Sequence, residues 1–202
     1  MRMTRLAVTL LLTFGYSLLA LTLQVIACQA VPLAPSQLST NADVIVRATA
    51  VRYAKAPEGN LTSGLPNSTV EFRVEEILKG ENVPATLVIN GYLSDKDDFN
   101  DRPVPYNFIR PGGRSGSCIA NSYKKGTEFL LFLKMKEGKL TPYWAALTPV
   151  NEQLRSSDDP WLQWVRDYLK TQKEEGAKAQ RLPNLLIVKV FEWLSFPFAN
   201  AI

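Results

Sequence analysis

No histidine occurs anywhere in the 202 residues, and only two cysteines do. The first absence removes serine–histidine and cysteine–histidine nucleophile pairs, along with histidine metal ligands. The second leaves too few thiolates for a structural zinc site. What survives of catalysis is chemistry built on Ser with Lys, or on paired carboxylates, and no motif points to either. The expectation is a protein that is not an enzyme and that carries no cofactor and no metal. An excess of one charge is also missing. The formal charge of +4 falls to +2 once Arg2 and Arg5 are set aside, because 21 basic residues then face 19 acidic ones. That balance argues against nucleic acid as a partner and against an anionic membrane surface.

What is present begins with a leader. Arg2 and Arg5 precede an apolar run from Leu6 to Ala27, so residues 1–27 have the layout of a secretory signal peptide. A run of this length also suits an uncleaved anchor, which needs about 20 apolar residues. Either way the remainder is exported: secreted, periplasmic or held at the outer face of a membrane, where disulfides persist. Val25-Ile26-Ala27-Cys28 resembles the lipobox of bacterial lipoproteins, in which the cysteine sulfur is acylated. Ordinary cleavage after Ala27 fits the same residues. The two fates of Cys28 exclude each other. Acylation leaves Cys118 without a partner in the chain. A free Cys28 can pair with Cys118 across about 90 residues, a closure worth roughly 4–5 kcal/mol in the chain-entropy picture.

From Ala42 the pattern predicts strands. Ala42–Tyr53 is rich in branched residues, and Thr69–Val74 alternates cleanly and runs on to Lys79-Gly80. Ala85–Asn90 forms a third strand. Glu128–Lys134 and Leu140–Leu147 form the last two, joined at Glu137-Gly138. Lys55–Ser68 is a loop by composition and holds the glycosylation sequons Asn60-Leu61-Thr62 and Asn67-Ser68-Thr69, relevant only to a eukaryotic secretory route. Gly91–Ser117 is a long irregular stretch, and such stretches are commonly functional or disordered. Asp159-Pro160 supplies an N-cap and a first helical residue. Trp161, Leu162, Trp164, Val165, Tyr168 and Leu169 follow at helical spacing. The organisation predicted is a domain over 28–156, a packing helix over 157–170, and a charged linker with an apolar C-terminal tail over 171–202. The fold class is mostly β: a five-stranded OB-like closed barrel with one flanking amphipathic helix after the last strand. Membrane contact is expected only through the N-terminal anchor or lipid, with the C-terminal tail as a further candidate.

Taken in order, these pieces resemble the netrin-like module and the tissue inhibitors of metalloproteinases. The residues that carry the likeness are Cys28, Ala42–Ala48, Val70–Val74 with Leu78-Lys79-Gly80, Ser117-Cys118, Gly126–Phe132 and Gly138-Lys139-Leu140. The resemblance implies an OB-like barrel with a Cys28–Cys118 bridge. In the inhibitors, the amino group and carbonyl of the first cysteine chelate the protease zinc and the next side chain enters the substrate pocket. The corresponding inhibitory ridge here is Cys28 and Gln29. The family begins Cys-x-Cys, whereas this chain reads Cys28-Gln29-Ala30, so a second anchor is missing.

Three further groups stand out in the long loop. Tyr92, Phe99, Tyr106 and Phe108 share it with Arg102, Arg110 and Arg114, a mixture that suits a binding loop for a protein or small ligand. Asp95, Asp97, Asp98 and Asp101 with Asn100 form an acidic cluster, read as a solvated loop rather than a Ca²⁺ site because the spacing does not match an EF-hand. Pro111–Ser117 is glycine-rich but lacks a P-loop lysine, and it reads as a flexible connection. The function expected is an exported netrin-like OB-fold binding module. The alternatives are a metalloproteinase inhibitor acting through Cys28 and an envelope hydrolase using Ser/Lys or carboxylates.

Overall fold

The computed structural model describes residues 33–58, 67–114 and 118–194, with side chains described as far as residue 179. The leader, Cys28, Gln29 and Asn60 lie outside the described residues. The chain is mostly β, with an antiparallel sheet and a C-terminal helix. The elements are α1 (Pro35–Asn41), β1 (Val44–Lys55), β2 (Thr69–Lys79), β3 (Thr86–Asn90), β4 (Tyr92–Ser94), β5 (Ser122–Lys124), β6 (Glu128–Lys136), β7 (Lys139–Pro142), β8 (Asn151–Gln153) and α2 (Pro160–Leu194). The main sheet runs β3-β2-β1-β6-β7, with β8 also on β6, while β4 and β5 form a separate parallel ladder.

The five strands predicted from alternation are all present, and three short ones join them. The last of the five is shorter than expected. It ends at Pro142, after which the chain turns through Leu147, whose φ of 60° breaks any extended run.

Two apolar layers follow from the pleat. Along β1, Val44, Val46, Ala48 and Ala50 face one side, where they meet Phe72, Ile89, Tyr123, Phe129, Leu131 and Leu133. Ile45 faces the other side with Leu130 and Phe132. The small side chains of Ala48 and Ala50 leave room for an aromatic triad. Phe72, Tyr123 and Phe129 meet edge to face, with centroids 4.9, 5.9 and 5.2 Å apart. Gly91 is required beside it, because a Cβ there would overlap the Tyr123 ring.

The second layer is covered by helices. Trp161, Leu162 and Val165 of α2 are buried on the sheet with Leu38 of α1, as the helical stripe predicts. Trp161, Trp164 and Tyr168 stack in sequence at 5.2 and 5.3 Å. The Tyr168 hydroxyl then meets Thr40 Oγ1 at 2.9 Å and ties the two helices together. Arg166 adds an ion pair to Glu76 at 2.6 Å. Glu76 also pairs with Arg47, which pairs with Glu128 at 2.5 Å. The helix continues to Leu194 through the stretch predicted as a linker, because Lys, Glu, Gln and Ala favour helix without any apolar stripe.

Asp159 caps α2 by accepting the Trp161 N–H at 2.9 Å and the Arg155 N–H at 3.0 Å. Asp159→Ala is expected to lower stability by about 1–2 kcal/mol. Urea unfolding followed by tryptophan fluorescence checks this.

Candidate functional site

The long loop is held from below by β8. Asn151, Glu152 and Gln153 are all buried there, along with Asn100 and Arg110 of the loop. The Asn100 amide donates to Phe108 O at 2.8 Å and to Glu152 Oε2 at 2.9 Å. The Arg110 N–H donates to Glu152 Oε1 at 3.3 Å, and its guanidinium reaches Asn151 O, Ala120 O and Asp98. The same guanidinium lies 5.7 Å from the Tyr123 ring centroid and 5.5 Å from that of Phe129, so it closes one end of the first apolar layer. Asp98 in turn accepts the Gly112 N–H at 2.9 Å, and Gln153 Oε1 accepts the Asp98 N–H at 2.9 Å. The backbone donor that a glycine-rich turn could offer to an outside anion is therefore taken by a carboxylate of the protein itself. Among the described part of that stretch, Pro111–Gly113 forms a 3-10 turn rather than a flexible connection; residues 115–117 lie outside it.

The seven binding-loop residues named from the sequence do not stay together. Arg110 and Tyr106 are buried, which corrects the expectation that they belong to a contact surface. Arg110 is drawn in by Glu152 and Asp98. Tyr106 packs on Trp161 at 5.3 Å, and its hydroxyl accepts from Arg155 at 3.3 Å. Arg102, Phe108 and Arg114 remain together at the surface. Both guanidinium groups lie over the Phe108 ring, at 5.4 and 5.3 Å. Arg114 is also clamped by Asp101 through both carboxylate oxygens, at 2.9 and 2.5 Å. Phe99 lies apart, under the Arg155 guanidinium at 5.0 Å, where it lines a groove of about 500 Å³ with Glu128, Gln153 and Ser156. Tyr92 sits on β4, half-buried.

Asp95, Asp97 and Asp101 of the acidic cluster are exposed, as a solvated loop requires, but three of its four acids are paired. Asp97 pairs with Lys124 at 2.7 Å, Asp98 with Arg110, and Asp101 with Arg114. Each of these three has its own cation, and among the described residues no three acids or thiols converge on one point. Lys124 holds the Asp97 carboxyl below its ordinary value, and Arg114 does the same for Asp101. Glu152 goes the other way. Burial pushes it up to about 7, against the pull of Arg110 and the Asn100 amide. Burial also raises the Tyr123 phenol, to about 12.

Asn151, Glu152 and Gln153 are the site residues that sequence reading misses, and Asn100, named there only with the acidic loop, is buried. A run of three polar residues reads as surface, and only the flanking Val150 and Leu154, both buried, hint otherwise. Cys118 is described and carries a φ of 59°; its carbonyl accepts the Leu147 N–H at 2.8 Å. Its expected partner Cys28 lies outside the described residues. No protein-family model matches the chain, and no curated protein matches it either.

Removing Arg110 leaves Asp98 and Glu152 facing each other without their cation. Arg110→Met is expected to cost about 3–5 kcal/mol in urea unfolding. For Glu152 the folded value lies above the ordinary 4.5, so the folded state binds the extra proton. Its contribution to stability is fully present below about pH 4.5 and is lost as the pH rises to about 7, by a total of about 3 kcal/mol. Stability measured against pH should show this decline as the difference between the native chain and Glu152→Gln.

Proposed function

We propose that this chain is an exported, non-catalytic binding module, similar to the netrin-like modules, whose partner face is the outer surface of the loop around Arg102, Phe108 and Arg114. The observation that carries this reading is the fixing of that loop from beneath. Asn100 and Arg110 are held by Glu152 in the interior, while the Arg–Phe–Arg group stays at the surface. A loop ordered in advance loses little entropy on binding, and arginine and aromatic side chains are frequent interface anchors. The carboxylates below it bond to Arg110 and Asn100, an arrangement suited to support rather than to turnover.

The OB-like barrel is part of the same proposal. Its support is a circuit of strands. β4 continues β3 past Gly91 and pairs in parallel with β5; β5 turns at Lys125-Gly126 into β6; and β6 pairs with β1. The aromatic triad fills the space that the circuit surrounds.

The Cys28–Cys118 bridge gains support from the course of the first described residues. The Leu33 N–H donates to Thr148 Oγ1 at 3.4 Å, next to Leu147, whose N–H meets Cys118 O. The five residues from Cys28 to Leu33 can span at most about 17 Å, a reach that would allow the bridge. The same proximity favours a second reading, metalloproteinase inhibition through the Cys28 amino group and Gln29. The missing Cys-x-Cys anchor makes it the weaker of the two. Both readings take a protein or small ligand as partner, and neither involves nucleic acid.

A photo-cross-linking residue in place of the exposed Asn107 tests the proposed face. In the native envelope the expected result is one saturable adduct. Phe108→Ala should lower its yield by about tenfold while leaving the unfolding temperature nearly unchanged. An adduct yield that Phe108→Ala does not alter places the partner elsewhere.

A further inference from the structure

Glu152 is fully buried, and neither of the groups bonded to its carboxyl is charged. The Asn100 amide meets one oxygen at 2.9 Å, and the Arg110 backbone N–H meets the other at 3.3 Å. The guanidinium buried beside it serves a different acid, Asp98, which also takes the Gly112 N–H. One cation thus lies between two carboxyls. With both acids ionised the group holds an excess of one negative charge away from water; with a proton on Glu152 it is neutral. The other surroundings do not correct this. Arg114 gives its guanidinium to Asp101 and the Ile109 carbonyl. The Tyr106 phenol, on the helix side, accepts from Arg155, which lies 3.9 Å from Asp159. Strand β6 sets Phe129, Leu130 and Leu131 along β8 and no charge. Burial accordingly pushes Glu152 up to about 7, against the pull of Arg110.

The two groups that meet Glu152 stand at the ends of Asn100–Arg110, the segment that carries Arg102 and Phe108. The ion pairs Asp98–Arg110 and Asp101–Arg114 both lie within Asp98–Arg114, so lifting that segment from β8 separates neither. What must break are hydrogen bonds to Asn151, Glu152 and Gln153. The movement also uncovers Tyr106 and Ile109, both buried, so the closed form dominates. In return Glu152 meets water.

We propose that Glu152 is a proton-operated latch: Asp98–Arg114 stays closed on β8 while Glu152 holds a proton, and lifts more often once the proton is lost. The direction follows from linkage. In the open form Glu152 returns to its ordinary 4.5, so between there and about 7 the closed form binds the extra proton. Its help to closure is fully present below about pH 4.5 and lost as the pH rises to about 7. The ratio of open to closed loop rises about tenfold per pH unit over that span. The chain has no histidine, so no other side chain has an ordinary value between about pH 5 and 8. The latch stands whether or not the outer face of the loop binds a partner.

Amide exchange of the full chain, followed residue by residue by NMR from about pH 5 to 8 and corrected for the rate of a free amide, tests this. Asp98 and Arg110 report the latch, since their N–H groups bond to Gln153 and Glu152. Phe132, bonded to Val150 O, reports unfolding of the whole domain. The expected result is that Asp98 and Arg110 open more often than Phe132. Their opening should climb about tenfold per unit as far as about pH 7 and then level. Glu152→Gln should abolish the climb. Asp98→Asn leaves Arg110 to Glu152 alone and should end the climb at a lower pH. Opening that is flat with pH, that climbs equally in Glu152→Gln, or that matches Phe132 overturns the latch. A climb that ends at the same pH in Asp98→Asn overturns the charge balance on which it rests.

Discussion

Every layer of this protein is defined by its relation to five consecutive residues of β6, Phe129–Leu133, all fully buried. Phe129, Leu131 and Leu133 face one apolar layer, and Leu130 and Phe132 face the other. Both edges of the strand are also paired, to β1 on one side and to β7 and β8 on the other. A strand buried on both faces poses a problem, because a slip of one residue exchanges one apolar set for another and exposes nothing. Size and charge set the register instead. Ala48 stands opposite Phe129, where a larger residue would collide with the aromatic triad. At the start of the strand Glu128 is held by Arg47. Toward its far end Asp43 accepts the Met135 N–H and pairs with Lys134, which keeps the Asp43 carboxyl below its ordinary value.

Two arginines organise the polar half of the structure, and they work in opposite ways. Arg47 lies on the helix side of the sheet, partly exposed, where it gathers Glu76 and Glu128 and through Glu76 reaches Arg166 of α2. Ion pairs of that kind contribute modestly and guide the docking of a helix whose affinity for the sheet comes from Trp161, Leu162 and Val165. Arg110 is wholly buried. Burying a charge is costly unless every donor is met, and the partners of Arg110 are a carboxylate, two backbone carbonyls and the faces of two aromatic rings. The return is definition of shape: one conformation of the loop satisfies all of them together.

Strands and helix start were legible in the sequence because alternation, branched residues and the Asp159-Pro160 cap are local signals. The elements that escaped notice lack such signals. Helix α1 has a polar sequence in which Leu38 is the one buried aliphatic side chain, too little to make a stripe. Strand β8 is three polar residues, and its burial depends on partners some forty to fifty residues earlier. From Asp95 to Arg110 the stretch is irregular, as its composition suggests. Its inside and outside could not be told apart, since Arg102, Arg110 and Arg114 are alike until Glu152 is known to lie beneath one of them. The length of α2 was missed for the opposite reason. Its middle is built of good helix formers that need no packing, and a reading based on apolar periodicity takes that for a linker.

The bonds that tie the loop to β8 join residues 41 to 56 positions apart in the chain. The β1–β2–β3 meander closes over much shorter distances. A chain delivered from its N-terminus can therefore assemble that meander while Arg110 is still surrounded by water. The loop takes its shape only when residues 151–153 arrive and Glu152 comes in under it. Assembly order thus places the surface around Phe108 among the last parts to form. A chain interrupted before β8 would keep the ion pairs within the loop yet lack the floor of Asn151, Glu152 and Gln153 that anchors it.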